Sequence, residues 1–78
     1  MVAHKNLYLQ HVSHIPSGAR YLVFLERVSQ LRGMNVTPAT MRTNADVDNF
    51  VQSLTAGSIK NYRTVLKHYT KMVAINNL

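Results

Sequence analysis

Seventy-eight residues suffice for one domain with a modest core, since a chain this short buries only ~60% of its unfolded surface. Nine Lys/Arg against three acids give a net charge of +6, and there is no cysteine. This rules out a disulfide scaffold, a thiolate nucleophile and a cysteine-based zinc site, and it favours an anionic partner.

Hydrophobic content of 46% is that of a folding chain, not of a disordered tail. The longest apolar runs are as short as "YLVFL", residues 21–25, so nothing here can span a bilayer. No basic stretch followed by an apolar run opens the chain, so no signal peptide is expected. A reducing, cytoplasmic setting suits a cysteine-free chain.

Residues 1–16, "MVAHKNLYLQHVSHIP", carry two competing patterns. Leu7, Leu9 and His11 alternate as in a strand, whereas Tyr8, Val12 and Ile15 fall at helical spacing. This segment is set apart from a helical domain expected over 17–78.

A helix is expected from Ser17 or Gly18, with Tyr21, Phe24, Leu25, Val28 and Leu31 on one face. Gly33 ends it, because glycine takes the left-handed conformation without a Cβ clash, and Met34 folds back on the helix. "NVTPATM" starts a short second helix. Thr37 is its cap, Pro38 its first residue, and Val36 with Met41 form a hydrophobic staple. Thr43 is expected to cap a third helix, with Asp46 in its first turn and Val47, Phe50, Val51 and Leu54 as its stripe. After "TAGS", with Thr55 or Ser58 as cap, Ile59, Tyr62, Leu66, Tyr69 and Val73 repeat at 3-4-3-4 spacing. "INNL" is expected to fray. The expectation is an all-α bundle of about four helices with short loops.

The last helix carries the functional signal. At ~100° per residue its apolar positions cover roughly 140°, and Lys60, Arg63, Lys67 and Lys71 cover roughly 80° on the other side. Cations three and four apart repel by a few tenths of a kcal/mol per pair, and solvated helix faces usually interleave glutamates. From residue 49 onward there are four cations and no acid. A phosphate backbone would relieve that repulsion and release counterions. Ser58, Asn61 and Thr64 flank the stripe as hydrogen-bonding residues, and Arg42, with Arg20 or Arg27, extends it. A merely solvated face and an anionic membrane surface are the competing readings. The core's need for the apolar stripe argues against the membrane.

"DVDNFVQSLTAGSIKNYRTVLKHYTKMV", residues 46–73, resembles the SAM-like core-binding domain of tyrosine recombinases, the phage-integrase family. The resemblance rests on an aspartate-led amphipathic helix, a Ser/Thr/Gly break, and Ser58, Ile59, Tyr62, Leu66 and Tyr69 in an S/T-I-x-x-Y-x-x-x-L-x-x-Y/F pattern. "YLVFLERVSQLRG" matches the family's first helix less specifically. The resemblance implies a helical clamp on duplex DNA. The family's chemistry belongs to a separate catalytic domain with no counterpart in these residues. Tyr62 and Tyr69 fall on the packing face, so the implied role is binding without strand transfer.

Other chemistries find little footing. His4, His11 and His14 lack nearby cysteines or acids, so no metal site is expected, and His68 lies between the polar and apolar arcs. No carboxylate pair, phosphate loop or enclosed pocket points to catalysis, so neither an enzyme, a cofactor nor a small-molecule substrate is expected. Tyr8 is the one aromatic left free to stack on single strands. The alternative to a duplex-DNA module is a protein-interaction or homodimerising module. Leu22, Val23 and the N-terminal "LYL" would be its apolar surface.

Overall fold

The computed structural model describes all residues, 1–78, as an all-α domain of five helices. They are α1 (Lys5–His11), α2 (Gly18–Ser29), α3 (Pro38–Thr43), α4 (Ala45–Gln52) and α5 (Ala56–Ile75), with a 3-10 turn at Leu31–Gly33 after α2. At 1.5 Å per residue the 20-residue α5 is about 30 Å long, which matches the 29 Å long axis of the molecule. It packs against each of the other four helices.

Residues 1–16 belong to the same core as the rest. Val2, Tyr8 and Val12 are buried. Of the two sequence patterns the helical one holds: Leu7, Leu9 and His11 lie in a helix and form no strand. Val2 forms a single parallel bridge with Val36, and residues from Lys5 form α1. Tyr8 is therefore not a free stacking platform. Its ring meets Tyr69 edge-on at 5.3 Å, and its hydroxyl donates to the Val65 carbonyl at 3.2 Å.

The connection into α2 passes so close that a Cβ on Gly18 would strike the Val12 carbonyl oxygen, so this position requires glycine. α2 starts where expected but ends at Ser29, and the last stretch expected to be helical, up to Gly33, tightens into the 3-10 turn. Arg32 (φ 54°) and Gly33 (φ 64°) both take the left-handed conformation, and Met34 folds back onto the core. Thr37 caps α3 as expected, its Oγ1 accepting from the Thr40 N–H at 3.0 Å, and both staple residues are buried.

Two expected helix ends differ. Asn44, not Thr43, caps α4: its Oδ1 accepts from the Asp46 and Val47 N–H groups at 2.8 and 3.3 Å. Thr43 is still the last residue of α3 and donates back to the Ala39 carbonyl at 2.8 Å. The C-terminus of α5 is capped, not frayed. Asn77 is left-handed at φ 55°, the Leu78 N–H reaches the Val73 carbonyl at 3.0 Å, and the Asn77 N–H reaches Ala74 at 3.3 Å. This is a Schellman ending with asparagine in the place glycine usually takes.

The buried line of α5 is Tyr62, Val65, Tyr69 and Met72, while Ile59, Leu66 and Val73 are half-buried at its margin. Three tyrosine hydroxyls then tie the bundle together. Besides Tyr8, Tyr62 donates to the Met41 carbonyl at 2.6 Å. The Tyr69 hydroxyl is shared between the carbonyls of Ala3 (2.6 Å) and Val36 (2.8 Å), at the bridge.

Leu25→Ala is expected to cost about 2–5 kcal/mol, the usual range for a fully buried leucine, and Leu66→Ala distinctly less. Chemical denaturation of the two variants checks the assignment of burial on α5. Tyr69→Phe should cost about 1–3 kcal/mol, because the Ala3 carbonyl accepts from Tyr69 alone among the protein's donors. Burial also pushes the Tyr69 hydroxyl from 10.0 up to about 12, and raises Tyr8 further. The folded state thus holds these protons more tightly than the unfolded chain. Their contribution to stability is complete below pH 10; that of Tyr69 is lost as pH rises through about 12, and that of Tyr8 at higher pH. The melting temperature should fall above pH 10, and less steeply in Tyr69→Phe.

Candidate nucleic-acid interface

Helical geometry alone sets the cations of α5 in a row. Arg63, Lys67 and Lys71 are four residues apart, about 6 Å per step along the axis. All three are exposed, as are Lys60, Asn61 and Arg42. The structure adds Arg42 to the row from α3. Its Nη2 donates to the Thr70 Oγ1 at 2.6 Å, which lays the guanidinium against α5. Arg42, Arg63, Lys67 and Lys71 thereby border one shallow groove, floored by Leu66, Thr70 and Ala74.

The remaining expected contacts disperse. Lys60 lies on the same arc of α5, one turn before the groove. Asn61 lies about 100° around the helix from Lys60. It borders a small crevice with Ser17, Arg20, Tyr21 and Phe24, so Asn61 and Arg20 form a different surface. Arg27 sits over the Phe50 ring at 5.6 Å. The flanking hydroxyls are engaged by the helix itself. Thr64 donates to the Lys60 carbonyl at 3.2 Å, and Ser58 accepts from the capping Thr55 at 3.1 Å. Thr70 is the polar residue that sequence reading missed. Its signal would have been its place between Lys67 and Lys71, on the side of α5 that faces α3.

The three acids are all committed elsewhere. Glu26 pairs with Lys5 at 2.9 Å, Asp46 with Arg32 at 3.5 Å, and Asp48 accepts from Gln52 at 2.9 Å. Neither ion pair involves a groove cation. The groove is therefore a cluster of four exposed cations, none of them in an ion pair with an acidic side chain.

Beside this row, His68 packs edge-on against His11 at 5.9 Å and stacks on Tyr21 at 5.8 Å. No three His, Asp or Glu side chains converge as metal ligands. No helix is long and apolar enough to cross a membrane. No protein-family model, curated protein or solved structure matches the chain.

Burial lowers the His68 pKa from 6.5, and His11, Lys67, Lys71 and His14 lower it further by repulsion. The fold thus favours the neutral ring. The unfolded chain binds this proton more readily, so stability is lost as pH falls through 6.5. The melting temperature should decline between pH 7 and 5, and His68→Gln should flatten part of that decline. Identical slopes in parent and variant would place the acid sensitivity elsewhere.

Proposed function

We propose that this chain is a non-enzymatic duplex-DNA-binding module that grips phosphates with the α3–α5 groove. The observation that carries the reading is the groove itself: Arg42, Arg63, Lys67 and Lys71 stand together with no acidic partner. Lys60 extends the row by one turn. Four neighbouring cations repel one another in the free protein, and a phosphate strand converts that repulsion into attraction and counterion release. The contacts are to phosphates, which position the protein without reading sequence.

The reading agrees with the resemblance of residues 46–73 to the SAM-like core-binding domain of phage-type integrases. In that pattern Ile59, Tyr62, Leu66 and Tyr69 supply packing, and the opposite arc is left for DNA. Tyr62 and Tyr69 are buried with their hydroxyls engaged, as a packing role requires.

A homodimer or protein-binding module is the second reading. Val23 on α2 and Leu9 on α1 favour it, at 59% and 43% exposed. The two readings separate in one experiment, a salt-dependent titration against duplex DNA with light scattering on the same sample. The parent should bind with a Kd on the order of 1–100 µM at moderate salt, as non-specific DNA binders do. Arg63→Gln/Lys67→Gln should fold normally, because both side chains are exposed, and should bind all duplex sequences more weakly. The slope of log K against log salt should shrink by roughly 0.9 for each phosphate that is no longer neutralised. Absence of binding by the parent, or an unchanged slope in the variant, would overturn the duplex reading. Concentration-dependent dimerisation without DNA binding would favour the second.

A further inference from the structure

A second concavity lies on the other side of the Arg42–Thr70 pair, between α3, the end of α5 and the turn into α1. It is an open cleft of about 460 Å³, within the size range of small-molecule sites. Ala3, Pro38, Val73, Ala74 and Leu78 make its wall largely apolar. No acid borders it. Of its hydroxyls, Thr37 is engaged as the α3 cap and with Thr40. Thr70 accepts from Arg42, which leaves its own O–H free to donate. Arg42 gives one N–H to Thr70 and keeps four. The cleft thus offers an apolar body and, at one edge, a cation beside a hydroxyl donor. A guanidinium fork matches a carboxylate in two parallel bonds, and a neighbouring hydroxyl fixes its orientation.

We propose that this cleft binds a small aliphatic carboxylate. Its chain lies on Pro38 and Val73, and its carboxylate accepts from Arg42 and Thr70. Charge complementarity selects this occupant over an amine or a neutral lipid. The volume of the cleft and its apolar wall favour a chain of several carbons over acetate. Arg42, Thr70 and Ala74 border both the cleft and the basic groove, so the cleft shares its cation with the duplex reading, while Ala3, Pro38, Val73 and Leu78 lie outside the groove.

Hexanoate titrated into the labelled full chain, followed by backbone amide shifts, tests the proposal. Saturable shifts confined to residues lining the cleft, with a Kd on the order of 1 mM, are expected for a ligand of this size. Arg42→Gln should weaken binding about tenfold or more, because a charge-assisted pair is removed. Ala39→Leu, at an exposed position on the rim, should obstruct the cleft while leaving Arg42 in place. Hexylammonium and acetate should bind at least about tenfold more weakly than hexanoate. Equal binding of hexylammonium would show a merely apolar site. Equal binding of acetate would show an anion on Arg42 and no use of the cleft. Either result, the absence of saturable shifts, or unchanged affinity in both variants would overturn the proposal.

Discussion

A buried hydroxyl must find an acceptor, and in this fold that requirement falls on Tyr69. The residue is fully buried in the C-terminal half of α5, and its hydroxyl ends between the carbonyls of Ala3 and Val36. Those two backbone segments are already joined by the Val2–Val36 bridge, with the Ala3 N–H on the Val36 carbonyl at 2.9 Å. One side chain therefore connects the longest helix to the first residues and to the residue that leads into α3. Once Tyr69 is placed, the rotation of α5 is set. Val65 and Met72 must face inward, and Lys67 and Lys71 must face out. Tyr62 repeats the device two turns earlier, on the last carbonyls of α3. α3 is thus held against α5 at both ends, and Arg42 is carried to Thr70 as a consequence.

What the sequence discloses depends on where each signal resides. α2 and α5 were legible because long helices repeat their apolar residues often enough to be seen. The Thr37–Pro38 start was legible because cap and proline act on adjacent backbone groups. α1 was not. It has seven residues, its N-cap His4 is left-handed with φ 57°, and no side chain caps it. Tyr8 and Val12 fall at helical spacing, but a competing alternation left the choice open, and what decides it is their burial in the core, Tyr8 against α5. The displaced cap of α4 is a finer case. Thr43 and Asn44 are both good capping residues, and the choice falls to the one with extended backbone, Asn44 at ψ 129°. On α5, Tyr62 and Tyr69 are buried as expected, but Val65 and Met72 take the inward places expected of Leu66 and Val73, because four helices surround α5 and widen its apolar arc beyond a simple stripe.

The candidate interface divides along the same line. The row on α5 could be read because it is local: the cations lie on one helix, and the acids that would neutralise them are missing from the same stretch. Arg42 was named from its place by the second helix as an extension of the row, but its contact with Thr70 is tertiary. Asn61 shows the limit of that reasoning. Adjacent to Lys60 in sequence, it turns about 100° away and joins Arg20 on α2. The apolar cleft left no pattern at all, because its wall is assembled from the N-terminal residues, α3 and the last turn of α5.

A domain with a stability of about 3–5 kcal/mol can hardly dedicate separate elements to folding and to binding. In the proposed function α5 serves both by separating them in angle. Its inner arc carries the tyrosines and the core, and its outer arc carries the cations. The outer arc works against the fold, since each like-charged pair at i, i+4 costs a few tenths of a kcal/mol. Helix ends at Thr55 and Asn77, both well capped, offset part of that cost. Because the repulsion resides in exposed side chains, an anion that binds there removes it without moving the core. On the proposed function, binding and stability would be linked through charge alone, and the buried tyrosine network would have no need to change on binding.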